Sequence, residues 1–312
     1  MKLDKNSWQK RAYWLVGSRG EESSRLGKLM TYLILTGMGF VFLYPLIYML
    51  SVSFMDTEDL VDATVTWIPT HLSVESFIKA AKTLDFWNGL KDSLIMTVIP
   101  AGLQTFTLAL AGYGLARFHV PGKKFWMVLA VFIFLIPTQV TMIPRFLLFN
   151  SYQMIGTVWP VYLISALGQG VKSSVFLLIY YNFFNSYPKS LDEAAKIDGA
   201  GPVKVFFKIA LPMVKPALVL TYLFSFIWIW NDTTQLPQYS TGAVTTLPMH
   251  LQQFVDQFNK LYSSAGVSTG GALNESIRLA GTLLTILPLI ILYFVVQKQF
   301  IESIERTGLT GE

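Results

Sequence analysis

Three groups of residues have the types and spacing to do chemistry. The first is the polar stretch Ser190-Leu191-Asp192-Glu193-Ala194-Ala195-Lys196-Ile197-Asp198-Gly199-Ala200, which continues through Gly201-Pro202 to Ile209-Ala210-Leu211-Pro212. Ser190 followed three residues later by Glu193 reads as a capping box, in which hydroxyl and carboxylate satisfy free backbone amides at a helix start. Gly199 is a natural left-handed stop, and Pro202 suits the first position of a second short helix. Val203, Phe206, Phe207 and Ile209 recur at helical spacing and are the expected anchors of that second helix. A bent helix pair of this kind exposes small and charged groups. The second group is Lys172, the one charge in the apolar run from Thr157 to Phe184, just after Gly168-Gln169-Gly170. A charge inside a spanning segment costs at least about 2.5 kcal/mol even on insertion scales, so it faces a cavity or a partner. Two readings stand: a polar contact for substrate, in particular an acidic one, or a lysine snorkelling to the outer interface because residues 157–170 are re-entrant or interfacial. The third group is Trp230-Asn231-Asp232, where tryptophan suits an interface anchor and Asn231 and Asp232 suit the lining of an outward mouth.

Bond-making chemistry has no such footing. Cysteine is absent, which excludes a disulfide framework and thiol-ligated metal. His71, His119 and His250 lie far apart, and no pair has metal-ligand spacing. Neither Gly27-Lys28 nor Gly122-Lys123 has the upstream glycine and following Ser or Thr of a phosphate-cradling loop, so ATP hydrolysis by this chain is not expected. No Ser/His/Asp arrangement, metal cluster or paired-carboxylate site is apparent, and no cofactor is implied.

The elements that must position these residues belong to a membrane protein. Of 312 residues, 53% are hydrophobic and 14% charged, against roughly 25% charged in soluble domains. The net charge of +5 does not point to nucleic acid, because the basic residues collect in segments that topology places in the cytoplasm. Residues 1–28 carry Lys2, Lys5, Lys10, Arg11, Arg19, Arg25 and Lys28 before an uncharged run, Leu29 to Val52, read as an uncleaved first span with a cytoplasmic leader. Residues 53–92 are rich in acids and belong outside. The second span, Ser93 to Ala116, holds Gly102, Gly112 and Gly114, small residues that let membrane helices approach, and ends at Arg117. Phe125 to Pro144, interrupted by Pro137 and Pro144, is the third span; proline bends of this kind shape cavities. Thr157 to Phe184 is the fourth, Pro216 to Trp230 a short fifth, and Leu279 to Val296 the sixth, with Pro288 inside it. The connection at 232–278 includes Thr246-Leu247-Pro248 and a Gly- and Ser-bearing stretch from Ser263 to Leu273, long enough to be functional or simply tolerated. With both ends inside, the inner loops are Arg117–Lys124 and the stretch holding Lys189, Lys196, Lys204, Lys208 and Lys215, consistent with positive residues inside.

Glu193-Ala194-Ala195, three residues, Gly199, nine residues, then Ile209-Ala210-Leu211-Pro212 resembles the cytoplasmic loop of ABC importer permeases, with every fixed position met. Asp198-Gly199-Ala200 and Pro216 narrow the resemblance to the carbohydrate branch, in particular the smaller subunit of maltose-type heterodimers. Gly112-Tyr113-Gly114-Leu115-Ala116-Arg117-Phe118, Ile136-Pro137, Ile143-Pro144, Gly156-Thr157, Trp230-Asn231 and Thr246-Leu247-Pro248 are also family-like. Asp92 departs from the pattern, which commonly has asparagine, and no role is carried onto it.

The resemblance covers roughly residues 29–300 and implies an all-α integral membrane protein with six transmembrane helices of the type I ABC importer fold and a cytoplasmic coupling helix in the loop 185–212. Residues 1–28 and 301–312 are then a cytoplasmic segment and tail, and 53–92 and 232–278 extracellular loops. It further implies a bacterial cell-membrane assembly of this subunit, a second homologous permease subunit, two cytoplasmic ATPase subunits and an extracellular sugar-binding protein that delivers a saccharide. Coupling to the ATPase would run through Glu193, Ala194, Ala195, Asp198, Gly199 and Ala200. Two rivals are weighed. A secondary active transporter needs ionisable residues at the midplane, where only Lys172 qualifies, and gives no reason for the loop motif. An ABC permease for a non-carbohydrate cargo differs only in the pocket.

Overall fold

The structure is a computed structural model that describes residues 25–262 and 273–309. Most of the basic leader, the stretch 263–272 within the connection 232–278 and the last residues of the tail lie outside the described residues. Among the described residues every element is helical. The chain opens with the long α1 (Arg25–Ser53), followed by the short α2 (Thr57–Val61) and α3 (Glu75–Thr83) and the long α4 (Phe86–Arg117). Next come α5 (Lys123–Leu135), α6 (Thr138–Ser151), α7 (Trp159–Ala166) and α8 (Ser173–Ser186). The loop motif occupies α9 (Lys189–Ile197), α10 (Pro202–Val205), a π-helical turn (Phe206–Ala210) and α11 (Leu211–Met213). After α12 (Lys215–Trp230), three small helices follow: α13 (Gln235–Ser240), α14 (Leu247–Gln252) and α15 (Phe254–Tyr262). The last element is α16 (Glu275–Leu309).

Among the described residues, three uninterrupted stretches are long and apolar enough to cross a bilayer: Gly27–Ser53, Phe86–Arg117 and Glu275–Gln299. Two bent pairs raise the number to five if each is one crossing: α5 with α6, bent by 96°, and Pro202–Met213 with α12, bent by 78°. The expected third span thus breaks earlier than Pro144. Pro137 lacks an N–H and sits with extended backbone between α5 and α6, whereas Pro144 is accommodated inside α6. The expected fourth span is two helices separated at Leu167–Lys172, with residues 159–166 as a short separate piece. Neither of those helices meets the length criterion alone.

Two compact units separate among the described residues. One holds α1, α2 and Asn274–Ala280. In it α1 carries exposed apolar side chains such as Leu33, Val41 and Phe42 along its length, as a lipid-facing span requires. Buried Ser276 ties its far end, donating through Oγ to the Met55 carbonyl at 2.8 Å.

The other unit contains Phe77 to Leu273 and resumes at Gly281. Its core joins α4, α8, the π turn and α12 through Tyr113, Phe176, Tyr180, Phe184, Phe206 and Ala210. Of the three glycines expected to permit close approach in α4, only Gly112 does so. A Cβ there would lie 2.5 Å from Tyr180 Cβ and 3.2 Å from the Tyr181 nitrogen, while Gly102 and Gly114 face open space. The start of α4 also pins the connection 232–278: Asp92 Oδ2 accepts from the Thr245 amide and Ser93 Oγ from the Leu247 amide.

Candidate functional site

The loop motif folds as a bent helix pair. Its first helix, α9, begins after Pro188, which occupies the N-cap with extended backbone and no side-chain cap hydrogen bond. The capping box expected from Ser190 and Glu193 is therefore not formed. Proline has set the helix start two residues earlier, placing Ser190 inside the first turn and leaving Glu193 exposed for other partners. The helix ends as expected. Gly199 adopts φ +76°, the Ala200 amide reaches the Ala195 carbonyl and the Gly199 amide the Lys196 carbonyl, the double closure of a Schellman cap. Pro202 then opens α10.

Of the four expected anchors of the second helix, Phe206 is buried and Ile209 half-buried, while the other two are not. Val203 is 69% and Phe207 47% exposed, whereas Val205, Phe206 and Ala210 are buried. The cause is the π turn: the Leu211 amide bonds the Phe206 carbonyl five residues back, and Pro212 has no N–H to offer the Lys208 carbonyl. The surplus residue rotates the buried face. Of the motif residues, Glu193, Ala194, Asp198 and Gly199 stand exposed, while Ala195 is buried against the chain's own core.

A buried charge network fastens α9 to the end of α4. Arg117 Nε lies 3.6 Å from Asp192 Oδ2, with the two side chains 5% and 10% exposed. The guanidinium covers the Tyr187 ring at 3.6 Å, and its Nη2 donates to the Tyr187 carbonyl at 2.6 Å. The Tyr187 hydroxyl in turn donates to both Asp192 oxygens, at 2.9 and 3.1 Å. Burial first, then the hydrogen bond to Asp192, pushes the Tyr187 phenol above its ordinary range, so it stays a donor.

A second feature is a cavity of ≈ 640 Å³, within the roughly 300–1,000 Å³ of small-ligand sites. Its wall is mostly apolar, with Phe134, Ile164 and Leu236 among its members, but it carries Lys172, Arg145 and Asp232. Lys172 takes a left-handed backbone, φ +56°, at the start of α8 and holds its ammonium 5.0 Å above the Phe134 ring. Asp232 Oδ1 accepts from the Thr234 and Gln235 amides. Asn231 is not in this wall; its amide donates back to the Ile227 carbonyl at 2.8 Å. Lys172 and Asp232 thus share one cavity, without Asn231.

The break that presents Lys172 is held from behind by α4. Gln104, fully buried, donates through Nε2 to the Val171 carbonyl and to Ser173 Oγ, each at 2.9 Å, while its Oε1 accepts from Ser225 Oγ at 2.8 Å. Thr107 Oγ1 donates to the Ala166 carbonyl at 2.8 Å, securing the end of α7. Gly170 allows the approach, since a Cβ there would lie 2.6 Å from Gln104 Oε1.

Sequence reasoning missed Arg145, although a signal was present: it is the one charge between Lys124 and Lys172. The expected end of the third span at Pro144 hid it. Asp192, Tyr187 and Gln104 carried no comparable signal, because the partners on other elements lie 67 or more residues away: Val171 and Ser173 for Gln104, Arg117 for Asp192 and Tyr187.

Residues 108–306 match the family described as binding-protein-dependent transport system inner membrane component. Protein LplC of Bacillus subtilis is 29% identical over 293 residues, covering 93% of this chain and 97% of that protein. The polygalacturonan/rhamnogalacturonan transport system permease protein YtcP of the same organism is 29% identical over 280 residues, covering 89% and 96%. A bacterial ABC transporter involved in the import of the acidic polysaccharide alginate has a chain of the same fold, with TM-score 0.74 and 22% identity over 91% of this chain and 99% of that one. The matched segment contains the loop 185–212, the buried charge network and the whole cavity wall. This chain belongs to the family of binding-protein-dependent transport system inner membrane components.

Proposed function

We propose that the chain is the permease subunit of an ATP-driven importer of oligosaccharides, with six membrane crossings, both termini in the cytoplasm, and a cargo that includes acidic sugars. It pairs with a second homologous permease subunit above two ATPase subunits, and an extracellular sugar-binding protein delivers the saccharide. Residues 29–300 form the transmembrane domain, and the broken pair α7–α8 supplies the sixth crossing in this count. The observation that carries the reading is the loop 185–212. Its motif lies on a closed helix pair whose Glu193, Ala194, Asp198 and Gly199 face outward, while Asp192 and Ala195 lock it to the body. Glu193 offers charge to a basic partner, Ala194 permits close approach, and the Gly199 turn with Ala200 fixes the angle between α9 and α10. Movement of a docked ATPase is passed through Asp192 and Arg117 into α4, and nucleotide and binding protein bias one two-state equilibrium.

Cargo is read from the cavity and from relatives. The polygalacturonan/rhamnogalacturonan permease and the alginate importer both handle acidic polysaccharides, and this cavity wall bears two cations and one carboxylate. The test is binding-protein-stimulated ATPase activity of the reconstituted complex, native against Glu193→Arg and Gly199→Pro. Selective loss of stimulated activity in assembled complexes is expected; full activity in both variants would remove the coupling role from this loop. Transport that excluded every saccharide would retire the cargo assignment and leave the fold.

A further inference from the structure

We infer that Arg145 and Tyr239 form a carboxylate-binding subsite in the cavity wall, the place where a uronate group of the cargo is held; this rests on the cavity being part of the cargo's path. Arg145 projects from α6, the second half of the bent pair, and Tyr239 comes from α13. Among the described residues Arg145 makes no ion pair, and its Nη2 gives only one long hydrogen bond, 3.5 Å to the Gln169 carbonyl. A guanidinium has five N–H donors in a planar fork matched to a carboxylate, so most of that capacity is unused.

Tyr239 supplies the independent observation. It is 1% exposed, packs edge-on against Phe149 at 5.5 Å, and belongs to the cavity wall, yet its hydroxyl has no hydrogen-bond partner. An unsatisfied buried hydroxyl is costly and marks a place where a ligand atom supplies the missing acceptor or donor. Burial raises the Tyr239 phenol, Arg145 opposes the shift and Asp232 adds to it, which places both charges within electrostatic reach of the hydroxyl and keeps it a donor at neutral pH. Both residues line the one cavity, and in the proposed subsite the Arg145 fork supplies N–H donors and the unpartnered Tyr239 hydroxyl an O–H donor to the anionic group. Asp232 is turned to other work, its Oδ1 occupied by the Thr234 and Gln235 amides. Lys172, in the same wall, is free to balance a second uronate.

The experiment is uptake by the reconstituted full complex of a uronic-acid trisaccharide and of its fully methyl-esterified, uncharged counterpart. Arg145→Gln should lower uptake of the acid at limiting concentration by at least about tenfold, and that of the ester by less than about twofold, the difference a charge-assisted hydrogen bond supplies. Arg145→Lys should recover part of the loss, and Tyr239→Phe should cost about three- to tenfold on the acid alone. Each variant is checked for assembly by co-purification of its partners. Equal loss of both saccharides, or unchanged uptake of the acid in Arg145→Gln, would overturn the subsite while leaving the importer intact. Uptake of neither saccharide by the native complex would overturn the importer reading and the subsite with it.

Discussion

The two charged regions of the larger unit handle charge in opposite ways. At the end of α4, Arg117 is neutralised by Asp192, stacked on Tyr187 and nearly sealed from solvent. In the cavity wall, Arg145 and Lys172 face a hollow with no ion pair among the described residues. The first arrangement joins opposite charges within the chain, although Arg117 Nε and Nη1 still lack hydrogen-bond partners; the second holds cations that have no ion pair among the described residues. A buried pair repays its desolvation only when both members are present. Unpaired cations in a largely apolar wall are tolerated where water or cargo can reach them.

The largest expected effect tests the paired region. Arg117→Met should destabilise the assembled complex by about 3–5 kcal/mol, because it strands the Asp192 carboxylate, and the double variant with Asp192→Leu should recover much of that loss. Thermal unfolding of the purified complex reads this, and a single-variant cost below about 1 kcal/mol would mean the pair is incidental. Next in size is Gln104→Leu, which leaves the Val171 carbonyl, Ser173 and Ser225 short of partners at a cost of about 1–3 kcal/mol. It should also blur the preference for acid over ester by loosening the break that presents Lys172; an unchanged preference would show that the break holds itself. Gly112→Val should cost about 1–3 kcal/mol by forcing α4 from α8, whereas Gly114→Val, facing open space, should change the melting temperature little. Similar effects from both glycines would contradict the close approach at Tyr180. The smallest effect is the most telling for the comparison. Lys172→Gly relieves a left-handed backbone worth about 1–2 kcal/mol and should raise stability while lowering uptake of the acidic trisaccharide. Loss of both would mean that the conformation serves the fold instead of the cargo.

What could be read in the sequence follows the range of the interactions. Gly199 and Pro202 act on their own neighbours, so the bend of the loop was legible from spacing alone. The helix start at Pro188 competed with a plausible capping box at Ser190, and the stiffer residue won. Phe206 was legible as an anchor of the second helix, but Phe207 was not excluded, because Pro212 acts backwards through a missing donor and regular periodicity gives way to a π turn. Lys172 was legible because a charge in an apolar run has few explanations; Arg145 obeyed the same logic and was lost to a span boundary drawn at Pro144, one residue short. Gln104, Tyr187 and Tyr239 are ordinary residue types whose partners are set by tertiary packing, and nothing local distinguishes them.

The π turn at Phe206–Ala210 also sets a torsion. One residue on an α-helix corresponds to about 100° of rotation, so the surplus residue fixes how far the docking surface is wound around the axis of the helix that follows. Deleting a single residue there would leave a smoother helix and point Glu193 the wrong way, visible as loss of ATPase co-purification from a permease that still folds. The nine positions between Gly199 and Ile209 thus carry a fixed rotational phase from the bend at Gly199 to the helix that follows.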